Sequence, residues 1–456
     1  MADAVIRKLS DSAVARWTVL IIVATAMMMG YFVNDVMSPL ETMLEAPPSE
    51  GGMGWSAADY GFFSGAGGLI NVYLLMLFFS GIILDKAGVR FTGVLATSLM
   101  VAGVVIKLYA LTVPLPPLSA LPSPLSSLLS PLSMPPSVIL ASLGFAIFGV
   151  GYEMTGITVS KAMVRWFTGH ELALAMGIQL AMARLGTAAA LSISAPIARH
   201  FSLSTPLLVS LAFLIIGLLS FLVFCVMDCK LDAQTANSGV KAAADDEQFH
   251  WSDIGTTLRS PGFWLITLFC VLFYSAVSPF LKFASKLMVV KYGVDADVAG
   301  FFTSIAPFGT IVLTPLFGSL YDKHGRGVTF IIAGAAMLAF VHLGFSLPVH
   351  SSMFAVLLML VLSVGYSLAP SALWPCVPKI IPMKCLGTAY SMIFFIQNFG
   401  RSIIPMVVGK TNESDPSYTT SMLVFAATAL GAVVVAVAML YVDRRQGYGL
   451  QKPNIR

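Results

Sequence analysis

Two side chains of opposite charge stand where charge is costly. Glu153 lies in the apolar stretch Gly149-Val-Gly-Tyr-Glu153, and Arg184 lies in Ala181-Met-Ala-Arg184-Leu-Gly186. A short polar turn, Trp166 to His170, separates the two stretches. With both stretches helical, a rise of 1.5 Å per residue places each charge roughly 20 Å from that turn. They then share one depth on adjacent antiparallel helices. A charge at the middle of a bilayer costs about 2.5–3.5 kcal/mol on insertion scales, so each needs a partner or a water-filled cavity. One outcome is a structural ion pair. The other is a site for a solute that carries both signs. The planar guanidinium of Arg184 suits bidentate contact with a carboxylate, and Glu153 would hold an ammonium or exchange a proton.

Other candidates are polar residues in apolar surroundings. Asp35 follows Tyr31 and Asn34 in the outer part of the first apolar run, where it lines a cavity or caps the helix end. Asn71 is expected to face the interior, because a lone amide in lipid lacks partners. Trp374, Gln397 and Asn398 offer an aromatic wall with amide donors, suited to peptide backbone groups; helix packing explains them as well. Lys282 and Lys286 are one turn apart and share a face. Snorkelling toward the membrane surface is expected of Lys286 and Lys107, while Lys282 is left between snorkelling and anion attraction. Arg401 and His342 receive no role, although a histidine can relay protons. The cysteines Cys225, Cys229, Cys270, Cys376 and Cys385 lie in or beside apolar runs without metal-type spacing, and read as small buried hydrophobes.

The elements that position these residues follow from composition. The chain has 456 residues, 57% hydrophobic and only 11% charged, whereas soluble domains carry about 25% charged residues. A bilayer core about 30 Å thick takes about 20 apolar residues per helix. Apolar runs predict an all-α membrane protein of twelve transmembrane helices, near 17–38, 58–84, 91–112, 138–163, 171–195, 205–227, 262–290, 298–321, 327–347, 353–374, 385–408 and 419–441. The first run is too long for a signal-peptide core and reads as a retained helix. The polar stretch Asp228 to Ser260 divides the chain into two six-helix bundles, residues 1–228 and 262–456, with a linker at 229–261. Lys and Arg, among them Arg7, Lys8, Lys86, Arg90, Lys230, Lys323, Arg326, Arg444 and Arg445, crowd one side of this topology. The opposite loops hold Arg199, Lys291 and Lys410. That imbalance places both termini and the linker in the cytoplasm. The Pro-, Ser- and Leu-rich stretch 113–136 reads as an irregular exterior loop, and Asn412-Glu-Ser414 fits a glycosylation pattern on that side.

A repeated loop reinforces the two-bundle reading. Gly81-Ile-Ile-Leu-Asp85-Lys-Ala-Gly88-Val-Arg90 recurs in outline as Gly318-Ser-Leu-Tyr-Asp322-Lys-His-Gly325-Arg326-Gly327. Gly81 and Gly318 would allow close helix approach, and Gly88 and Gly325 would take backbone angles that a Cβ resists. Asp85 and Asp322 could meet the positive end of a helix in the opposite half, forming a gate latch with Arg90 and Arg326 nearby. Internal repetition of this kind belongs to transporters whose halves rock around a shared site. The two loops resemble the signature of the major facilitator superfamily, and the twelve spans with a central linker suit it throughout.

A closer resemblance lies in Trp166-Phe167-Thr-Gly169-His-Glu171-Leu, in Gln179-Leu-Ala-Met-Ala-Arg184-Leu-Gly186, in Tyr366-Ser-Leu with Ala372-Leu-Trp374-Pro375, and in Leu386-Gly-Thr-Ala-Tyr390 with Ile396-Gln397-Asn398. These segments are similar to the branch that contains the lysosomal dipeptide transporters and many bacterial members. The resemblance implies peptide-recognition charges at Glu153 and Arg184. The segment Met1 to Arg16 lacks an acidic dileucine sorting signal, and 113–136 looks like an insertion. Both departures favour a bacterial inner membrane over the lysosomal one.

The function expected is alternating-access transport of small zwitterionic solutes, dipeptides or amino acids first, driven by the substrate gradient or by protons through Glu153. An organic-anion or sugar exchanger is the alternative. No Gly-x4-Gly-Lys-Ser/Thr motif, metal cluster or nucleophile cluster occurs in the sequence, so no enzyme, cofactor or metal is expected. The partners expected are a small solute and the lipid bilayer, not nucleic acid. The chain is expected to work as a monomer that leaves room for an accessory subunit.

Overall fold

The computed structural model describes residues 9–117, 119, 133–167, 171–237, 255, 258–381 and 386–453. Its long elements are all helices: α1 (Ala13–Asp35), α2 (Glu41–Glu45), α3 (Ala57–Ala66), α4 (Leu69–Tyr73), α5 (Met76–Thr112), α6 (Pro136–Phe167), α7 (Leu172–His200), α8 (Thr205–Asn237), α9 (Pro261–Tyr292), α10 (Ala296–His324), α11 (Gly327–Ser346), α12 (Ser352–Ile380), α13 (Leu386–Ser414) and α14 (Thr419–Gln446). Among the described residues, eleven helical stretches are long and apolar enough to cross a membrane. Their backbone groups are paired within each helix, which is what a lipid environment demands.

The run expected as one second span is broken. Gly67 and Gly68 end α3, since two adjacent glycines are poor helix formers, and Leu75 takes a left-handed φ of 54° before α5. Gly88, at φ 78° and ψ 170°, interrupts α5 within the first repeated loop. The expected linker also begins later, because α8 continues to Asn237. Its extension is braced where the indole of Trp166 donates to Asp228 at 3.0 Å. The remaining linker residues 238–254, and most of the Pro-rich loop, lie outside the described residues.

α1, α5, α6, α7 and α8 pack into one bundle, and α9 to α14 into another. The bundles meet along α3 with α13 and α7 with α10. Small residues make these contacts close, as is usual between membrane helices. A Cβ on Gly61 would stand 2.6 Å from the Pro405 carbonyl oxygen and 2.7 Å from the Gly409 Cα.

The repeated loops lie at the far end of the molecule. Contrary to the expectation of close approach there, a Cβ on Gly81 or Gly318 would meet nothing within 4 Å. The first loop is braced by Arg90, which pairs with Asp232 at 2.8 Å, while Arg165 pairs with Asp228 at 3.3 Å. Gly325, at φ 70°, lies under the chain's last turn, and the Arg326 amide donates to the Gln451 carbonyl at 2.8 Å. Asp322 acts electrostatically on Lys379 and Tyr321 of its own bundle. The side chain of Asp85 lies outside the described residues.

Three further expectations are corrected. Cys229 is exposed, not buried, and its Sγ accepts from Arg90. Asn412 is buried and its Oδ1 accepts from the Ser421 hydroxyl, so it does not present itself to a glycan. Lys107 and Lys286 do not snorkel. Lys107 is 1% exposed, and Lys286 is taken up by two carboxylates.

Candidate functional site

Midway along the bundles lies a cleft of about 730 Å³, part of it continuous with solvent. Tyr31, Asn34 and Asp35 come from α1, Tyr152 and Glu153 from α6, Arg184 and Thr187 from α7, Lys282 from α9, Tyr366 from α12, and Asn398 and Arg401 from α13. Both halves therefore contribute, and the equal depth inferred for Glu153 and Arg184 brings both to this cleft.

They are not each other's partner. Glu153 accepts from Arg401 at 2.6 Å, across the bundle interface. Arg184 donates to the Tyr366 hydroxyl at 2.7 Å, and its guanidinium carbon stands 4.9 Å from the centre of that ring. Among the described residues Arg184 has no carboxylate partner. A hydrogen bond to a phenol leaves its charge uncompensated, and an uncompensated charge in a partly dry cleft favours an anionic ligand.

Asp35 closes the cleft toward the end opposite the repeated loops. It accepts from Lys282 at 2.7 Å, from the Thr187 hydroxyl at 2.9 Å and from Asn34 at 2.9 Å. One carboxylate thus joins α1, α7 and α9. Next to it, Lys286 holds Glu41 at 3.3 Å and also Glu45. The Tyr60 hydroxyl donates to the Lys282 carbonyl at 3.0 Å, and Arg199 reaches Asp297 at 3.3 Å. All four contacts tie one bundle to the other, so this end is sealed.

Tyr31 lines the cleft, its ring 5.0 Å from that of Tyr152. Asn398 lines it too, its amide donating to the Phe394 carbonyl. Three expected residues lie outside the lining. Asn71 is buried against α6, donating to the Gly149 carbonyl at 3.1 Å. Trp374 donates to the Tyr274 hydroxyl at 3.3 Å within an aromatic cluster that includes Tyr390 and Phe394. Gln397 is buried, and its Oε1 has no partner.

Arg401, to which the sequence gives no role, and Lys282, left between snorkelling and anion attraction, both line the cleft. A signal existed for Arg401: it lies three positions after Asn398, hence on the same helix face. His342 is packed between the rings of Phe280 and Phe425 and takes no part in the cleft. Among the described residues no cluster of His, Cys, Asp or Glu could hold a metal ion.

Comparison with known proteins accords with this architecture. The model of the Major Facilitator Superfamily matches residues 119–405. The lysosomal dipeptide transporter MFSD1 of Homo sapiens is 28% identical over 322 residues, covering 68% of this chain and 67% of that protein. MFSD1 of Gallus gallus is 28% identical over 312 residues, covering 66% and 68%. Among solved structures, a D-xylose-proton symporter superposes with a TM-score of 0.68 at 13% identity, covering 93% of this chain and 97% of its own. The peptide transporter POT in complex with alafosfalin gives 0.67 at 15% identity, covering 97% and 96%. At those identities the two structures speak for the fold alone. The family match spans well over half of the sequence, and this multi-pass membrane protein belongs to the Major Facilitator Superfamily.

Proposed function

We propose that the chain is a secondary transporter of small zwitterionic solutes, dipeptides or amino acids first, working by alternating access. In this reading the broken run α3–α4 with the first part of α5 is a twelfth span. Both termini face the cytoplasm, and the sealed end is the exterior one, so the cleft opens inward. The membrane would be a bacterial inner membrane, with the lysosomal membrane as the alternative that the MFSD1 relatives favour.

The observation that carries the reading is Arg184, a cation without a carboxylate partner in a cleft that also holds the Glu153–Arg401 pair. A substrate carboxylate would take Arg184. Its ammonium would compete with Arg401 for Glu153, releasing one inter-bundle contact as the substrate binds. That exchange gives the ligand a differential affinity for two states, which any ligand-driven conformational change requires. Glu153 is also the group through which protons would couple. The gate loops at Asp85 and Asp322 would close the cytoplasmic end in the opposite state.

A second reading rests on a count of the cleft's charges. Arg184, Arg401 and Lys282 face Glu153 and Asp35, an excess of one positive charge that suits an organic anion. Thermal stabilisation of the purified protein by a dipeptide, its C-terminal amide and its N-acetyl form separates the two. The zwitterion reading expects loss with the amide and weakening with the acetyl form, whereas tighter binding of the acetyl form supports the anion. Arg184→Ala should lower affinity by at least about 30-fold, since truncating one partner of a buried charged contact costs 2 kcal/mol or more. Unchanged affinity in that variant would remove Arg184 from the site and the proposal with it.

A further inference from the structure

Between the central cleft and the sealed end lies a second, much smaller cavity. Its walls include Asn34, Ser38, Tyr60, Lys107, Phe145 and Lys282. Its free space accommodates one water-sized particle. The polar groups that face it are unusual in kind. The Lys107 ammonium is wholly buried and has no hydrogen-bond acceptor, and the buried Ser38 hydroxyl faces the Tyr60 hydroxyl as its one neighbour in hydrogen-bonding reach among the described residues. Lys107 Nζ rests 4.8 Å and 5.0 Å from the ring centres of Phe145 and Phe148, and Lys282 Nζ rests 5.6 Å from the same Phe145 ring. Two amines, from α5 in one bundle and α9 in the other, thus lie against one ring.

Their charges are unequally compensated. Lys282 is held by Asp35 at 2.7 Å and by the Asn34 carbonyl. The ring faces beside Lys107 are the only stabilisation that the described residues offer it, and cation–π contact is worth on the order of 1–2 kcal/mol. That is far less than an isolated buried ammonium requires. Either the amine is neutral or an anion completes the cavity. The Lys107 ammonium offers donors and no acceptor, so the space favours an occupant that only accepts. An organic carboxylate is too large for it.

We propose that this cavity binds a single small inorganic anion of the halide class, held by Lys107 and the Ser38 hydroxyl on one bundle and facing Lys282 on the other. Because its cations come from opposite halves, the anion completes the seal, and it binds the sealed state more tightly than an opened one. The site adjoins the Arg184 cleft and shares Asn34, Phe145 and Lys282 with it, whereas Lys107 and Ser38 line the smaller cavity alone; the proposal does not depend on what the cleft transports.

The test is thermal unfolding of the full chain at fixed ionic strength, with sodium gluconate replaced stepwise by sodium chloride or bromide. A saturable rise in Tm is expected, on the order of 1–3 °C once the halide reaches ten times its Kd. Lys107→Met should abolish that response while keeping the response to a ligand of the central cleft. In gluconate alone Lys107→Met should be more stable than the parent, since it removes an uncompensated charge. Ser38→Ala should shift the halide midpoint several-fold upward. Equal melting in gluconate and halide, or a halide response that survives in Lys107→Met, would overturn the proposal. The first result would assign the cavity to a neutral amine with or without a water.

Discussion

The two ends of the molecule solve the same problem, two bundles meeting, in opposite ways. At the sealed end the bundles exchange charges: Asp35 takes Lys282, Glu41 and Glu45 take Lys286, and Arg199 faces Asp295 and Asp297. Backbones also touch there, at Gly61 and Gly409. At the end with the repeated loops, the described ion pairs stay within one bundle, Arg90 with Asp232 and Arg165 with Asp228. Gly81, Gly88 and Gly318 there border open space, while Gly325 and Gly327 pack against the C-terminal segment of their own bundle. Contacts that cross the interface stabilise one conformation of a rocking pair, whereas contacts within a bundle stabilise both alike. On the alternating-access reading proposed above, the difference marks which residues would set the conformational equilibrium and which would only hold each bundle in shape.

The largest effect is expected from Lys286. Glu41 is fully buried; its Oε1 faces Lys286 at 3.3 Å and its Oε2 has no hydrogen-bond partner. Removing one member of a buried ion pair costs about 3–5 kcal/mol, and in Lys286→Met that cost falls on the sealed state alone. The sealed end should open, seen as faster labelling of Ser64→Cys, a cleft-lining position, by a membrane-impermeant thiol reagent in a background without native cysteines. Adding Glu41→Gln should restore slow labelling. Should labelling stay slow while the melting temperature falls, the triad holds the fold and not the gate.

Much of this arrangement was legible in the sequence, and the part that was not follows a pattern. Expected spans near 262–290 and 327–347 correspond to Pro261–Tyr292 and Gly327–Ser346, because strongly apolar runs bounded by Pro, Gly and charge leave little latitude. The shared depth of Glu153 and Arg184 was legible because one short turn joins their helices. Arg401 was not, since its partner lies 248 positions earlier and on the other bundle. Lys286 was misjudged for a related reason. Its position near a helix end fits snorkelling, and only the packing of α9 against α1 and α2 reveals carboxylates waiting at that height. The break at Gly67-Gly68 was masked by the hydrophobicity of its neighbours, which average out a local backbone fault.

Glycine substitutions sharpen the same contrast at smaller scale. A methyl group at Gly61 must displace backbone atoms of α13, and overpacking of this kind costs about 1–3 kcal/mol. At Gly81 the methyl group enters open space within a helix, where alanine is favoured over glycine by about 1 kcal/mol. Gly61→Ala should lower the melting temperature and speed Ser64→Cys labelling, while Gly81→Ala should raise it slightly and leave labelling unchanged. Equal destabilisation by both variants would mean that the loop end is as tightly packed as the sealed one.

The smallest effect concerns the turn between α13 and α14, beyond the sealed interface. The Asp415 carboxylate accepts from the amides of Ser417 and Thr420 and from both of their hydroxyls. These bonds hold its carboxyl down at about 2, below the ordinary aspartate value of about 3.9. A carboxyl depressed by folding adds stability above its unfolded value, and that stability is lost as the pH falls through the folded one. The group is partly exposed, so solvent screens the gain, and Asp415→Asn should lower the melting temperature by no more than about a degree or two at neutral pH. The gap between variant and parent should narrow below pH 4 and close near pH 2, because protonation then removes the same charge from the parent. A gap that persists at constant size into acid would assign the turn's stability to the geometry of its hydrogen bonds, with the charge contributing nothing. Since Asp415 crosses no interface, the labelling rate of Ser64→Cys should not change at any pH in that range, which separates this contact from those that hold the bundles together.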